Sequence, residues 1–268
     1  MTYISLLKYW TIAVVHMRSR LTYRTALIAE IPIIILRVWI SSHFYQATYN
    51  SSTPDQFAHL SVAAVVWSTM FVQCFNTASS RSAAKQIDKE VKTGTLAYSI
   101  NRPYSYILYH YAAFLGRTLP ALLIDVPVGM LAAWYFVGPI STSWTALMCG
   151  LCLMLGGYTL NFLFELSIGL LAFYIEDTSS LIWLYSKAIV FFGGFMIPLE
   201  LFPPSLKIFA QLLPFGQLYA SAAQLIVAWQ PATCLRFAVL QLIWLIIAGL
   251  LSRHLFNKGI KNVSLQGG

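Results

Sequence analysis

Apolar residues fall in a few long runs along this chain, separated by short polar connections. A run of about 20 apolar residues is long enough to cross the hydrocarbon core of a bilayer as a helix. The first run is Thr25 to Gln46, and the polar connection Ala47 to Gln56 behind it carries the single charge Asp55. The second, Phe57 to Ala78, has no Asp, Glu, Lys or Arg, and it leads into the most charged stretch, Arg81 to Arg102. A third run extends from Ile107 to Val137, with an inner part expected to bend or lie shallow. After the uncharged turn Gly138 to Ser143, a long run from Trp144 to Tyr174 ends at Glu176 and Asp177. The fifth run, Leu181 to Met196, is short and continues into Ile197 to Phe215, which holds Pro198, Pro203, Pro204 and Pro214. The last run is Cys234 to Ser252.

This pattern predicts an all-α membrane protein of six transmembrane helices. Prolines interrupt helices, so 197–215 is expected to dip back into the membrane as a re-entrant hairpin before the last span. Non-helical backbone at that depth must be buried in protein or line a cavity. Residues 3–22 carry a different signal. Leu6, Trp10, Ala13, Met17 and Leu21 recur at steps of three or four, while Lys8, Thr11, Arg18 and Thr22 fall on the opposite face. Such a helix is expected to lie in the headgroup plane as an N-terminal interfacial amphipathic helix.

Composition agrees. The 268 residues are 58% hydrophobic and 10% charged, against about 25% charged in a typical soluble domain. The six spans leave no room for a folded extramembrane domain. A net charge of +8 would raise nucleic acid as a partner for a soluble protein. Here it sets orientation, because cytoplasmic loops collect Lys and Arg. Of the 17 Lys and Arg, all but Arg37, Arg117, Lys187, Lys207 and Arg236 fall in the N-terminal segment, the 81–102 loop and the C-terminal segment. Both termini and that loop are therefore expected in the cytoplasm, with 197–215 outside and no nucleic acid bound. The first 24 residues lack a clean apolar core and a small-residue cleavage site, so no cleavable signal is expected. Cys149 and Cys152 form a C-x-x-C inside an apolar run with no second pair and no nearby His, which reads as small buried hydrophobes rather than a metal or redox site.

Charged residues within spans are costly and usually face protein or water. Glu30 and Arg37 are seven apart and share a helix face. Asp125 and Arg117 stand about 80° apart around their helix, a poor angle for direct pairing. Glu165 has no basic residue within two turns, and Glu200 sits beside the re-entrant segment. These carboxylates are either structural pairs or a set that meets cationic substrates, with the 15% aromatic content adding cation–π contacts. On the second reading Glu30, Asp125 and Glu165 line a substrate path. Chemistry is missing: there is no G-x-x-x-x-G-K-[ST], G-x-S-x-G or H-E-x-x-H, so no catalytic site, metal or bound cofactor is expected in the chain. Active transport would need an energy source elsewhere.

The charged loop points to that source. Ser82 to Lys92 reads as a short helix ended by Gly94, too small for a domain and suited to docking on another protein. The stretch Glu90-Val91-Lys92-Thr93-Gly94-Thr95-Leu96, running on to Asn101-Arg102-Pro103, resembles the "G-T-L … R-P" coupling region of permease subunits of type-2 ABC exporters. Gly193-Gly194-Phe195-Met196-Ile197-Pro198-Leu199-Glu200-Leu201-Phe202-Pro203, continuing to Leu213-Pro214-Phe215, is similar to that family's outer hairpin. Ala97 to Ile100 depart mildly from the family pattern, which usually has a more apolar run there.

The resemblance covers essentially the whole chain and implies a single bacterial ABC exporter transmembrane domain in the cell inner membrane. It implies 81–103 as the coupling region, with Lys85, Lys89, Glu90, Gly94 and Thr95 as the ATPase-coupling residues. Two cytoplasmic ATPase subunits would hold ATP and Mg, and a second permease, same or related, would complete a dimer, a heterodimer being favoured. Spans one, two and five would line the path. The cargo implied is a hydrophobic or amphiphilic substrate, toxic lipophilic cations or drugs first and polysaccharide or glycolipid second. The competing class is an ATPase-independent channel or ion-coupled carrier.

Overall fold

A computed structural model describes residues 3–51, 61–79, 83–175 and 177–266. Asp55, Phe57, Arg81, Ser82 and Glu176 from the expectations above lie outside them. The elements, in order, are α1 Tyr3–Thr22, α2 Arg24–Ser51, α3 Val62–Ala78, α4 Ala83–Lys92, α5 Leu96–Ile100, α6 Tyr106–Val137, α7 Trp144–Leu170, α8 Ser179–Phe192, α9 Pro204–Leu212, α10 Ala220–Val227 and α11 Pro231–Gln266. No strand occurs among the described residues. Four stretches are long and apolar enough to cross a membrane alone: α2, α6, α7 with the turn that follows it, and most of α11. Shorter apolar helices, α3 and α8, stand where the second and fifth runs were expected. The chain is an all-α membrane protein.

α3 is the hub. Twelve of its residues are buried, on every side of the helix, as a helix apolar all round requires. It packs against α2, α6 and α10, and Ser61 caps its start by accepting from the Ala64 amide at 3.1 Å. α11 is the opposite case. Leu235, Val239, Leu242, Ile246 and Leu250 on it are all exposed. That surface is untenable in water and ordinary against lipid chains.

α6 is one uninterrupted helix, with Pro120 and Pro127 inside it, and its inner part does not break away. Its 32 residues span about 48 Å, well beyond a hydrocarbon core of about 30 Å. The excess at the Tyr106 end meets α1. Gly116 faces the Ala13 carbonyl so closely that a Cβ there would clash. Tyr9 accepts from the Ser105 amide at 3.0 Å, and the His16 ring meets Tyr109 edge-on. The expected single apolar face of α1 is therefore split: Ala13 packs on α6, while Trp10 projects outward, 65% exposed.

The segment expected as a re-entrant hairpin holds one short helix, α9, directly after Pro203, and a second, α10, begins at Ala220, five residues beyond the expected limit at Phe215. Leu218, between them, packs its carbonyl against Gly157, 13 residues into α7 and so about 20 Å along it. The far end of α10 returns to the α6–α7 turn, where Thr142 donates to the Ile226 carbonyl at 2.6 Å. Gln241 of α11 pins the bend, donating to the carbonyls of Leu153 and Gln217 at 2.8 and 2.9 Å. Such interhelical bonds hold apolar helices together where lipid offers no hydrophobic driving force.

Candidate coupling helix and transport cavity

α4 is built to be held on one face and open on the other. Ala83, Ala84 and Ile87 are buried. Gly169 of α7 lets the backbone come close, so that a Cβ at Gly169 would lie 3.0 Å from the Ala84 carbonyl and 2.9 Å from Ile87 Cβ. Lys85, Lys89 and Lys92 lie on the exposed side. α4 stops at Lys92, and Gly94 adopts φ 69°, a left-handed conformation that glycine takes without penalty. Gly94 and Thr95 are exposed, and the Thr95 carbonyl accepts from the amides of Tyr98 and Ser99 to start α5.

Glu90 is not on the open face. It is half-buried, accepting from Tyr106 at 2.9 Å and Gln86 at 3.2 Å, with His110 Nε2 3.5 Å away. Burial pushes its carboxyl up, but the His110 imidazole, the Tyr106 hydroxyl and the Gln86 amide outweigh it and hold the group below the usual carboxylate range. Phe256 of α11 stacks on Tyr106 behind this latch, ring centroids 5.6 Å apart.

A second grip lies two residues earlier on α4. Asp88 accepts from Thr178 at 2.8 Å and pairs with Lys92 at 2.9 Å. Lys92 also reaches Asp177 at 3.3 Å, and Asp177 accepts from the Ser179 amide and hydroxyl. Thr178 is the residue from which α8 starts. The short helix is thus fastened to the start of α6 and to the start of α8 at once. Tyr106, His110, Asp88 and Thr178 were not among the expected site residues. His110 and Thr178 stand in apolar or turn sequence, where nothing signals a partner 16 to 90 residues distant.

Above α4 a cavity of about 630 Å³ opens between α2, α3, α6 and α8. Its polar lining comprises Arg20, Arg37, Lys85 and Arg117, with Asn76, Thr77 and Ser79 from the end of α3. Val190 and Phe195 form an apolar wall, and the Arg37 guanidinium sits 5.6 Å from the Phe195 ring centre.

The carboxylates expected on a substrate path are elsewhere. Glu30 is paired with Arg20 of α1 at 2.7 Å, not with Arg37, which donates to Thr77 at 2.7 Å. The neighbouring helix outcompetes the residue two turns away on the same one. Asp125 is fully buried where α6 packs on α3, close enough to Glu30, Arg20 and Arg37 to feel their charges. Glu165 is buried and accepts from Asn161 at 3.1 Å. Asn161 in turn donates to Ser79 and accepts from Tyr185, tying α7 to α3 and α8. Glu165 lines a narrow cleft that shares Asn76 and Ser79 with the large cavity, and Glu30 is partly exposed beside Arg20. Among the described residues no group of three His, Cys, Asp or Glu is placed to hold a metal.

A helical membrane chain with a polar cavity among its spans and a small charged helix clamped at their ends has the architecture of a transport permease. Residues 55–267 match the ABC-2 family transporter protein, and the chain is a member of that family. Membership makes it a membrane component of an ABC exporter that associates with an ABC ATPase. No curated protein matches the chain significantly.

Proposed function

We propose that this chain is the permease of an ATP-driven exporter that moves a hydrophobic or amphiphilic substrate out of a bacterial cell through the inner membrane. It would form one half of a permease dimer, paired with a second, related chain. Two ATPase subunits holding ATP and Mg would dock on the exposed side of α4 at Lys85, Lys89, Gly94 and Thr95, with both termini in the cytoplasm. One observation carries the reading: α4 is fastened to α6 through Glu90 and to α8 through Asp88. A push on its open face reaches two helices that wall the cavity. Rigid-body motion of packed helices is an established way to switch a two-state transporter.

Glu90 in this scheme is the link from α4 to the spans, and Lys89 and Thr95 form the docking surface. Lys89→Glu with Thr95→Arg is expected to abolish co-purification with the ATPase while leaving membrane insertion intact. Reconstituted transport should fall to background in the same variant. Transport by the purified chain without an ATPase would overturn the proposal in favour of a channel or ion-coupled carrier.

Between the two cargo classes, lipophilic cations lose their main motivation, because Glu30 is occupied by Arg20 and Asp125 and Glu165 do not face the large cavity. Glycolipid or another amphiphile of opposite charge gains by the same lining.

A further inference from the structure

The cavity between α2, α3, α6 and α8 draws cations from four separate elements: Arg20 of α1, Arg37 of α2, Lys85 of α4 and Arg117 of α6. Among its described lining residues there is no Asp or Glu. Three carboxylates stand nearby. Glu30 engages Arg20 through one oxygen, Asp125 lies buried behind the wall, and Glu165 acts on Arg117 from the adjoining cleft. Four cations against three acids, only one of them in contact, leave the space net positive.

Two of the cations stand well along their helices. Arg37 lies 13 residues into α2 and Arg117 11 residues into α6, about 20 and 17 Å along them, which puts Arg117 about where α6 enters the hydrocarbon core, since the excess length of that helix is at its Tyr106 end. Positive residues near helix ends serve orientation and reach the headgroups. A guanidinium this far along a span costs free energy unless it faces water or an anion. Arg117 shows the demand most clearly, since its Nε and one terminal nitrogen, Nη2, are buried and have no hydrogen-bond partner. Nε and Nη2 form the forked edge that can grip a phosphate or carboxylate through two parallel bonds; both are closed to solvent as the side chain stands, so binding requires the Arg117 guanidinium to turn into the cavity it lines. Arg37 spends one nitrogen on Thr77. The amide and hydroxyls of Asn76, Thr77 and Ser79 supply neutral donors beside the fork, and Val190 and Phe195 offer a surface for an apolar tail.

We propose that this cavity binds a phosphate-type anionic headgroup, held by Arg37 and Arg117 with Arg20 and Lys85 at its mouth. Resting on the exporter reading above, this makes the cargo an anionic amphiphile. Lys85 belongs both to α4 and to the cavity lining, so ATPase engagement and headgroup binding meet at one residue.

The test uses the permease–ATPase complex without nucleotide in nanodiscs of zwitterionic lipid. The probes are dodecyl phosphate, dodecyltrimethylammonium and inorganic phosphate, read by thermal stabilisation and tryptophan quenching. Dodecyl phosphate is expected to stabilise the complex. Arg37→Gln and Arg117→Gln should each weaken it by about tenfold or more, the loss of one charge-assisted bidentate contact. Lys187→Gln, which removes an exposed cation of α8 outside the cavity, should leave binding unchanged. Arg37→Lys and Arg117→Lys keep the charge and are expected to give intermediate affinities, which guards against variants that fail to fold.

Inorganic phosphate binding as tightly as dodecyl phosphate would assign the anion site to a free phosphate. Dependence on the tail would assign it to a lipid. Tighter binding of the trimethylammonium probe, or phosphate binding unmoved by either arginine variant, would overturn the site. Co-purification of the ATPase with every cavity variant keeps this outcome separate from the docking test.

Discussion

Glu90 stands where the charged loop meets the start of α6, and its chemistry fixes how firmly they are joined. Its carboxylate receives a hydroxyl, an amide and the approach of an imidazole. A charge-assisted hydrogen bond of this kind contributes about 1.5–3 kcal/mol. Glu90→Ala removes all three and leaves Tyr106 and His110 facing a gap, so α4 should loosen while the spans stay inserted. Glu90→Gln keeps an acceptor for Tyr106 and should be milder. The pH dependence has a definite sign. A carboxyl held below its ordinary value of 4.5 contributes stability that is complete above that value and disappears as pH falls through Glu90's own lower one. Hydrogen exchange of the α4 amides, corrected for the intrinsic rate, should therefore accelerate below about pH 4.5 in the wild type. In Glu90→Ala it should be fast at every pH. Protection of α4 that is equal in the two proteins would remove Glu90 from the latch.

Between elements, the joint that matters most is α4 to α8, because α8 contributes Val190 to the cavity wall and leads directly to Phe195. Asp88 and Thr178 form that joint at 2.8 Å. If it transmits motion, Asp88→Ala and Thr178→Ala should each uncouple ATP hydrolysis from transport, and the double variant should be no worse than either single one. Such non-additivity is the signature of residues acting as a pair. Additive losses would mean that the two act separately. Gly169 offers the same logic at the α4–α7 contact, where a side chain would meet the Ala84 carbonyl and Ile87.

The limits of what could be read from sequence also fall at this scale. The four long apolar helices were legible because about 20 apolar residues in a row have few other uses. The end of α4 was legible through Gly94. α10 was not, because its eight residues lie between the Pro-rich segment and the last apolar run and are too few to show a helical period. Nor was the partner of Glu30. A same-face neighbour on α2 can be counted off, but Arg20 arrives from α1 across the turn at Tyr23, and only tertiary structure brings it there. Arg37 and Arg117 were visible as exceptions to the charge topology and were weighed only against Glu30 and Asp125 on their own helices; the shared space that gathers four cations needed the fold.

Over the whole molecule, orientation decides whether these parts can work together. The Lys and Arg asymmetry is the support for the proposal that α4 and both termini face the cytoplasm. The fold is consistent within itself: the start of α6, the end of α7, the start of α8 and the last turns of α11 all gather around α4, as Glu90–Tyr106, Gly169–Ala84, Asp88–Thr178 and Phe256–Tyr106 show. The α6–α7 turn and the far end of α10 gather at the other end, joined by Thr142 and Ile226. A single cysteine at each end then tests the arrangement in intact cells. Ser141→Cys should react with a membrane-impermeant thiol reagent added outside, and Lys89→Cys should react only after the membrane is opened. Cys74 is buried, but Cys149 and Cys234 are partly exposed and Cys152 is exposed, so the two cysteines are introduced in a background in which these three are replaced by alanine. Reversal of the two labelling patterns would place α4 outside, where no ATPase could reach it. The basic cavity would then open toward the wrong face for an exporter. The same labelling repeated with the ATPase bound should protect Lys89→Cys in opened membranes and leave Ser141→Cys unchanged, because a partner seated on the open face of α4 covers the first position and lies a full bilayer away from the second.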